Sequence, residues 1–302
     1  MKEQFPGFYP YSYRQIKKFL EEATIVFGAS VLLDLFRISE GLKFLELIES
    51  KIPKERLWLP YDTAWLYHDR MASVIQEQID EDDKASMLLT SFKESVHNNY
   101  CHPFVSQDLM KKFDDFVKDI ENSLETDRKN LVECLGNHKY KSRISRLFYN
   151  RIGREYDKTQ MSQVYNESQK RNENQIPPCM TFSLSQNPRI RHNRYVIWKQ
   201  IQQYAKENKK SVLLVLNRIT TNWFFIYKDS FIAPHQYLIN EFRQETGQDI
   251  YILSVHDFLD KLLSRKEKEN AEIQQLLAQL REKPTLGHNQ QIAPLMAIQN
   301  SI

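Results

Sequence analysis

The chain has 302 residues and a net charge of +3, a length that suits one large or two small domains with an ample core. So small a charge does not by itself argue for nucleic acid. No apolar run approaches the length of a membrane span, and the opening MKEQFPGFYPYSY lacks the apolar core of a signal peptide. Three cysteines, Cys101, Cys134 and Cys179, show no CxxC spacing; they read as reduced thiols of a bacterial-type cytoplasm, not as a disulfide or zinc framework.

Along the chain, Thr24 to Phe27 reads as a short buried strand bounded by Gly28, followed by a helical pattern at Val31, Leu32, Leu35 and Phe36. Arg56 to Pro60 reads as a second strand ended by its proline. Asp62 is then the expected N-cap of a helix through Ile79, with Trp65, Leu66, Val74 and Ile75 on or near its buried side. The acidic run Asp80-Glu81-Asp82-Asp83 reads as a solvated turn. From Lys84 to Arg171 helical periodicity dominates, as at Leu109, Phe113, Phe116, Val117, Ile120 and Leu124. After Ile176-Pro177-Pro178 come a helix near Tyr195 to Glu207, strands at Ser211 to Leu216 and Trp223 to Tyr227, a helix from Pro234 to Glu245 and a strand from Asp249 to Leu253. This alternation predicts an α/β fold with a mostly parallel sheet, helices on both faces, and ligands beyond the carboxyl ends of the strands.

Charge is unevenly spread. From Asn174 to Lys228 the acidic side chain is Glu207 alone, against nine Lys or Arg, among them Arg189, Arg191, Arg194 and Arg218. Cys134 to Arg154 has no acid and six basic residues, including Arg143 and Arg146, interleaved with Tyr140, Phe148 and Tyr149. Cations beside aromatic rings suit single-stranded nucleic acid; the plainer alternative is solvated surface charge over an aromatic core. Cys101-His102 has no partner placed by spacing and reads as packing or surface. His256 to Lys283 reads as a long helical pattern in which Leu276, Leu277 and Leu280 need an apolar cover, assigned to a protein partner or a second copy. The Gln/Asn-rich tail from Thr285, with Leu295, Met296, Ile298 and Ile302, reads as disorder or a docking peptide.

Three stretches, TIVFGASVLLDLFR at 24–37, RLWLPYDTAWLYHDR at 56–70 and NRYVIWKQIQQYAKENKKSVLLVLNRITTNW at 193–223, together resemble the bacterial PIN-like domain family, relatives of Mg²⁺-dependent ribonucleases. The resemblance runs from about Phe5 to Leu263. It implies a PIN-like three-layer sandwich divided as 1–83 for the first half, 84–175 for a helical insertion, 176–263 for the second half and 264–302 for a C-terminal helix and tail. It also implies carboxylates that this chain lacks. Gly28 stands where the first strand ends in a catalytic Asp, Leu66 where a Glu precedes Arg70, Asn193-Arg194 for a Gly-Asp pair, Leu216-Asn217-Arg218 for Thr-Asp-Asp, and Asn222 for the Asp before Trp223. Cys179 replaces a usual Gly, and Phe182 an acidic residue.

Two-metal cleavage needs carboxylates to hold Mg²⁺. Gly28 and Leu66 offer no ligand, and a guanidinium about 5 Å from a dication costs roughly 6 to 7 kcal/mol at an effective dielectric of about 20. The expectation is a catalytically degenerate protein, without cofactor or metal, that acts as a binding or regulatory subunit of a protein complex. RNA or DNA is a possible ligand, antiviral defence is the setting the resemblance implies, and the membrane is not involved. The alternative is an active Mg²⁺-dependent endonuclease with a relocated site drawn from Asp34, Asp62 and Asp69.

Overall fold

The computed structural model describes residues 1, 3–97, 105–136, 139–181, 183–217, 219–228 and 230–281. Arg218, Cys101, His102, Phe182 and the tail residues Leu295, Met296, Ile298 and Ile302 lie outside them. The chain opens with helix α1 (Tyr13–Glu22), where Ser12 and Gln15 form a reciprocal capping box. Strand β1 (Thr24–Phe27), short helix α2 (Ala29–Leu33) and helix α3 (Gly41–Lys51) follow. Next come the long helices α4 (Tyr61–Val96) and α5 (Gln107–Leu135), then α6 (Lys139–Leu147) and α7 (Lys158–Glu173). The second half holds α8 (Pro188–Arg191), α9 (Asn193–Asn208), β2 (Val212–Leu216), β3 (Phe224–Tyr227), β4 (Ser230–Pro234), α10 (Gln236–Thr246) and β5 (Ile250–Ser254). Helices α11 (Val255–Leu262) and α12 (Ala271–Leu280) complete the described chain.

The sheet is parallel in the order β1-β2-β5, with Thr24 opposite Val212 and Val212 opposite Ile250. Its strands are apolar runs because both faces are covered. Ile25, Phe27, Leu213, Val215 and Leu253 enter one core with α2, α3, α4, α11 and α12. Val26, Val212, Leu214, Leu216, Ile250 and Ile252 enter the other with α9 and α10. This two-residue alternation is the pleat itself.

Several expectations change. Arg56 to Pro60 is not a strand: a 3-10 turn covers Lys54–Arg56, and Leu57 and Leu59 make only isolated parallel bridges, to Ile25 and Ile152. The run Asp80-Glu81-Asp82-Asp83 is not a turn but lies inside α4, so the boundary expected at 83/84 falls within a helix. Lys84 binds Glu81 at 2.6 Å and Arg128 of α5 reaches Asp83 at 3.2 Å, which compensates the repulsion. Strand β4, not expected from the sequence, ends on Pro234, where a helix was expected to begin, and it pairs with β3 as an antiparallel hairpin apart from the main sheet. The C-terminal helical pattern divides into α11 and α12 around a 3-10 turn at Glu267–Glu269.

The partner face assigned to Leu276, Leu277 and Leu280 is also corrected. Leu276 is 0% exposed and Leu280 6%, both sit in the first core, and Leu277 packs against it. Helix α12 lies on α3 and α11, so this chain supplies its own cover. Among the described residues no helix is long and apolar enough to cross a membrane.

Candidate functional site

The carboxyl ends of β1 and β2 meet at Gly28 and Asn217. Gly28 closes the strand pairing by donating its N–H to Val215 O at 2.8 Å, and it caps α2. A Cβ there would lie 2.8 Å from Leu216 Cδ2, so the space beside the strand end is filled by an apolar methyl. Six residues on, just past α2, Asp34 is buried at 5% exposure. Its Oδ1 accepts from Arg37 Nη1 and its Oδ2 from Asn217 Nδ2. Arg37 also holds Glu77 at 2.7 Å; burial pulls the Arg37 guanidinium down, yet the hydrogen bonds to Glu77 and Asp34 outweigh it and hold the group above its ordinary value. The carbonyl oxygen of the Asn217 side chain, Oδ1, is buried without a hydrogen bond among the described residues.

Asp62 does not cap α4. Pro60 is the N-cap, and Asp62 sits in the first turn, 1% exposed. Arg189 Nε donates to its Oδ1 at 2.6 Å and Gln200 Nε2 to its Oδ2 at 2.8 Å, while the Asp62 N–H returns to Gln200 Oε1 at 3.1 Å. Arg189 also binds Glu155 at 3.0 Å and lies over the rings of Trp65 and Tyr61. Its net pKa is raised: burial opposes this, but the bond to Asp62 prevails. Asp69 is exposed beside Arg70, with N and O 3.4 Å apart, and Leu66 is half-buried.

Arg194 occupies the first turn of α9 and donates from Nη1 to both the carbonyl and the hydroxyl of Thr181. Asn222, 2% exposed, clasps the same threonine, accepting from its N–H at 3.1 Å and donating to its hydroxyl at 2.7 Å. Burial lowers the Arg194 guanidinium from its ordinary value; its hydrogen-bond partners are neutral. Burial likewise pushes the Cys179 thiol up.

The remaining basic residues are dispersed. Arg143 is bound to Glu49 at 2.5 Å and Glu46 at 3.5 Å, Arg191 donates to Ser185 O at 3.0 Å, and Arg146 is exposed. Arg189 and Arg143 are thus each paired with carboxylates of this chain. Sequence reasoning missed Arg37, Gln200 and Thr181. The three-residue step from Asp34 to Arg37 on a helical turn was the one available signal.

A family profile described as a PIN like domain matches residues 24–238, and it spans β1, α9, β2 and the start of α10. The chain belongs to the PIN-like domain family. No curated protein and no solved structure matches it. The parallel sheet that carries Gly28 and Asn217 is therefore the nuclease-type scaffold of the PIN-like domain, and the residues directly after β1 and β2 are a glycine and an amide. Among the described residues of this PIN-like domain, no three His, Cys, Asp or Glu side chains form a group able to hold a metal ion.

Proposed function

We propose that this PIN-like protein is a catalytically degenerate binding or regulatory subunit of a protein complex, one that does not cut nucleic acid. The observation that carries this reading is how two buried carboxylates, Asp34 and Asp62, are used. Asp34 is taken by Arg37 and Asn217, and Asp62 by Arg189 and Gln200. Mg²⁺ requires open anionic oxygens, and these residues do not fit it: to ligate a cation, each carboxylate would have to shed an arginine already bonded to it. Arg194 adds a positive charge with neutral partners to the same half of the protein. Antiviral defence, implied by resemblance to the family, is the proposed setting, and nucleic acid is a proposed ligand through Arg191, Arg194 and Arg218.

The experiment is incubation of stringently purified protein with single-stranded and duplex RNA and DNA in Mg²⁺ or Mn²⁺. No cleavage is expected. Cleavage abolished by Asp34→Ala or Asp62→Ala would establish the relocated site and overturn the reading.

A further inference from the structure

The arm formed by α4 and α5 is only half covered. Up to Ile79, α4 buries eight residues, Asp62, Thr63, Ala64, Tyr67, Met71, Val74, Ile75 and Ile79, and none of its residues beyond Ile79 is buried. In α5 the buried residue is Val117. The two helices run antiparallel, held by Arg128 to Asp83 at 3.2 Å, His97 to Asp114 at 3.1 Å and the edge-to-face rings of Phe92 and Phe113. Toward the core end, Leu131 and Cys134 of α5 pack against the first core.

Large apolar side chains remain on this arm. Leu88 is 73% exposed, Phe92 57%, Leu109 58% and Phe116 62%. Their spacing decides where they lie. A step of about 100° per residue sets Leu88 and Phe92 a quarter to a third of a turn to one side of the α4 seam at Leu89, Lys93 and Val96. The same step sets Leu109 and Phe116 about a quarter turn to the corresponding side of the α5 seam at Met110, Phe113 and Val117. Because the helices are antiparallel, both flanks fall on one face of the arm, with Phe92 and Phe116 near its middle.

We infer that this face packs against the same face of a second copy of the chain, so that two arms form an antiparallel four-helix bundle. A two-fold axis through the Phe92 and Phe116 region makes the contact self-complementary. It lays the far end of one arm on the near end of the other. The four side chains offer roughly 400 to 500 Å² of apolar surface per copy, and with their polar margin the pair reaches the ~1,200 Å² at which stable interfaces begin. Isolated apolar side chains need no partner, whereas a continuous stripe on a two-helix arm is the pattern that four-helix packing covers.

Sedimentation of the full chain at tens of micromolar tests this. A dimer is expected, and Phe116→Asp, at an exposed position that should leave circular dichroism unchanged, raises its dissociation constant ~100-fold or more. As a second measurement, Phe116→Cys gives a copy-to-copy disulfide under mild oxidation, while Thr90→Cys, on the opposite flank, does not. A monomer at these concentrations, a dimer indifferent to Phe116→Asp, or equal cross-linking at both positions overturns the inference. None of these readouts depends on whether the protein cleaves nucleic acid.

Discussion

Asn217 donates its side-chain amide to Asp34 across 183 residues of chain, joining the end of β2 to the turn after α2. The donor matters because Asp34 is buried and its other oxygen already holds Arg37. Asn217→Asp would replace a donor by a second buried carboxylate. It should destabilise the fold by about 2 kcal/mol or more at neutral pH, with the deficit shrinking in acid as one carboxylate is protonated. Asn217→Ala, which only removes the bond, should cost about 1 to 3 kcal/mol with little pH dependence. Urea denaturation at two pH values separates the two outcomes.

Removing one partner of the Asp62–Arg189 pair leaves a buried charge uncompensated. With Asp62 1% exposed and the Arg189 side chain 19% exposed, Arg189→Met should destabilise by about 3 kcal/mol, the low end for breaking a buried pair. The double variant Asp62→Asn with Arg189→Met should lose less than the sum of the Asp62→Asn and Arg189→Met losses. A strictly additive result would show that the two side chains are not coupled.

His235 sets a pH dependence. Burial holds its imidazole at about 4, well below the ordinary 6.5, so the folded chain keeps it neutral while the unfolded chain binds a proton. Its contribution is fully present above about 6.5 and is lost as pH falls toward 4, amounting to about 3 kcal/mol over that window. His235→Gln should flatten the stability profile between pH 6.5 and 4. An unchanged slope would place the titration elsewhere.

Helix α12 is structural. Leu276→Ala should cost about 2 to 5 kcal/mol, the usual range for emptying a core leucine, and deletion of Asn270 to Ile302 should lower the thermal midpoint or prevent folding. A truncated chain with an unchanged midpoint would contradict the packing of Ile273, Leu276 and Leu280 in the first core.

The sheet was legible because its strands are short, uninterrupted apolar runs. Thr24–Phe27, Val212–Leu216 and Ile250–Ser254 stand where the apolar residues cluster. The reach of α4 was not legible, since four consecutive acids look like a solvated turn until Arg128 and Lys84 are placed beside them. Strand β4 was hidden because Pro234, an apparent helix start, ends a strand. At the site, the non-acidic character of Gly28, Leu66, Arg194 and Asn217 is written in the sequence. Their neighbours are not: Gln200 reaches Asp62 over 138 residues, and Thr181 finds Arg194 and Asn222 through tertiary folding alone.

Helix α4 joins the two regions described above as one unbroken rod. Its 36 residues extend about 54 Å at 1.5 Å per residue, with Asp62 clasped at one end and the exposed stripe toward the other. A lever of that length multiplies small rotations, so a tilt of about 5° at the first turn sweeps Val96 through roughly 4 to 5 Å. The core packing of α4 up to Ile79, together with the grip of Arg189 and Gln200 on Asp62 at its start, thus sets the direction in which the arm points.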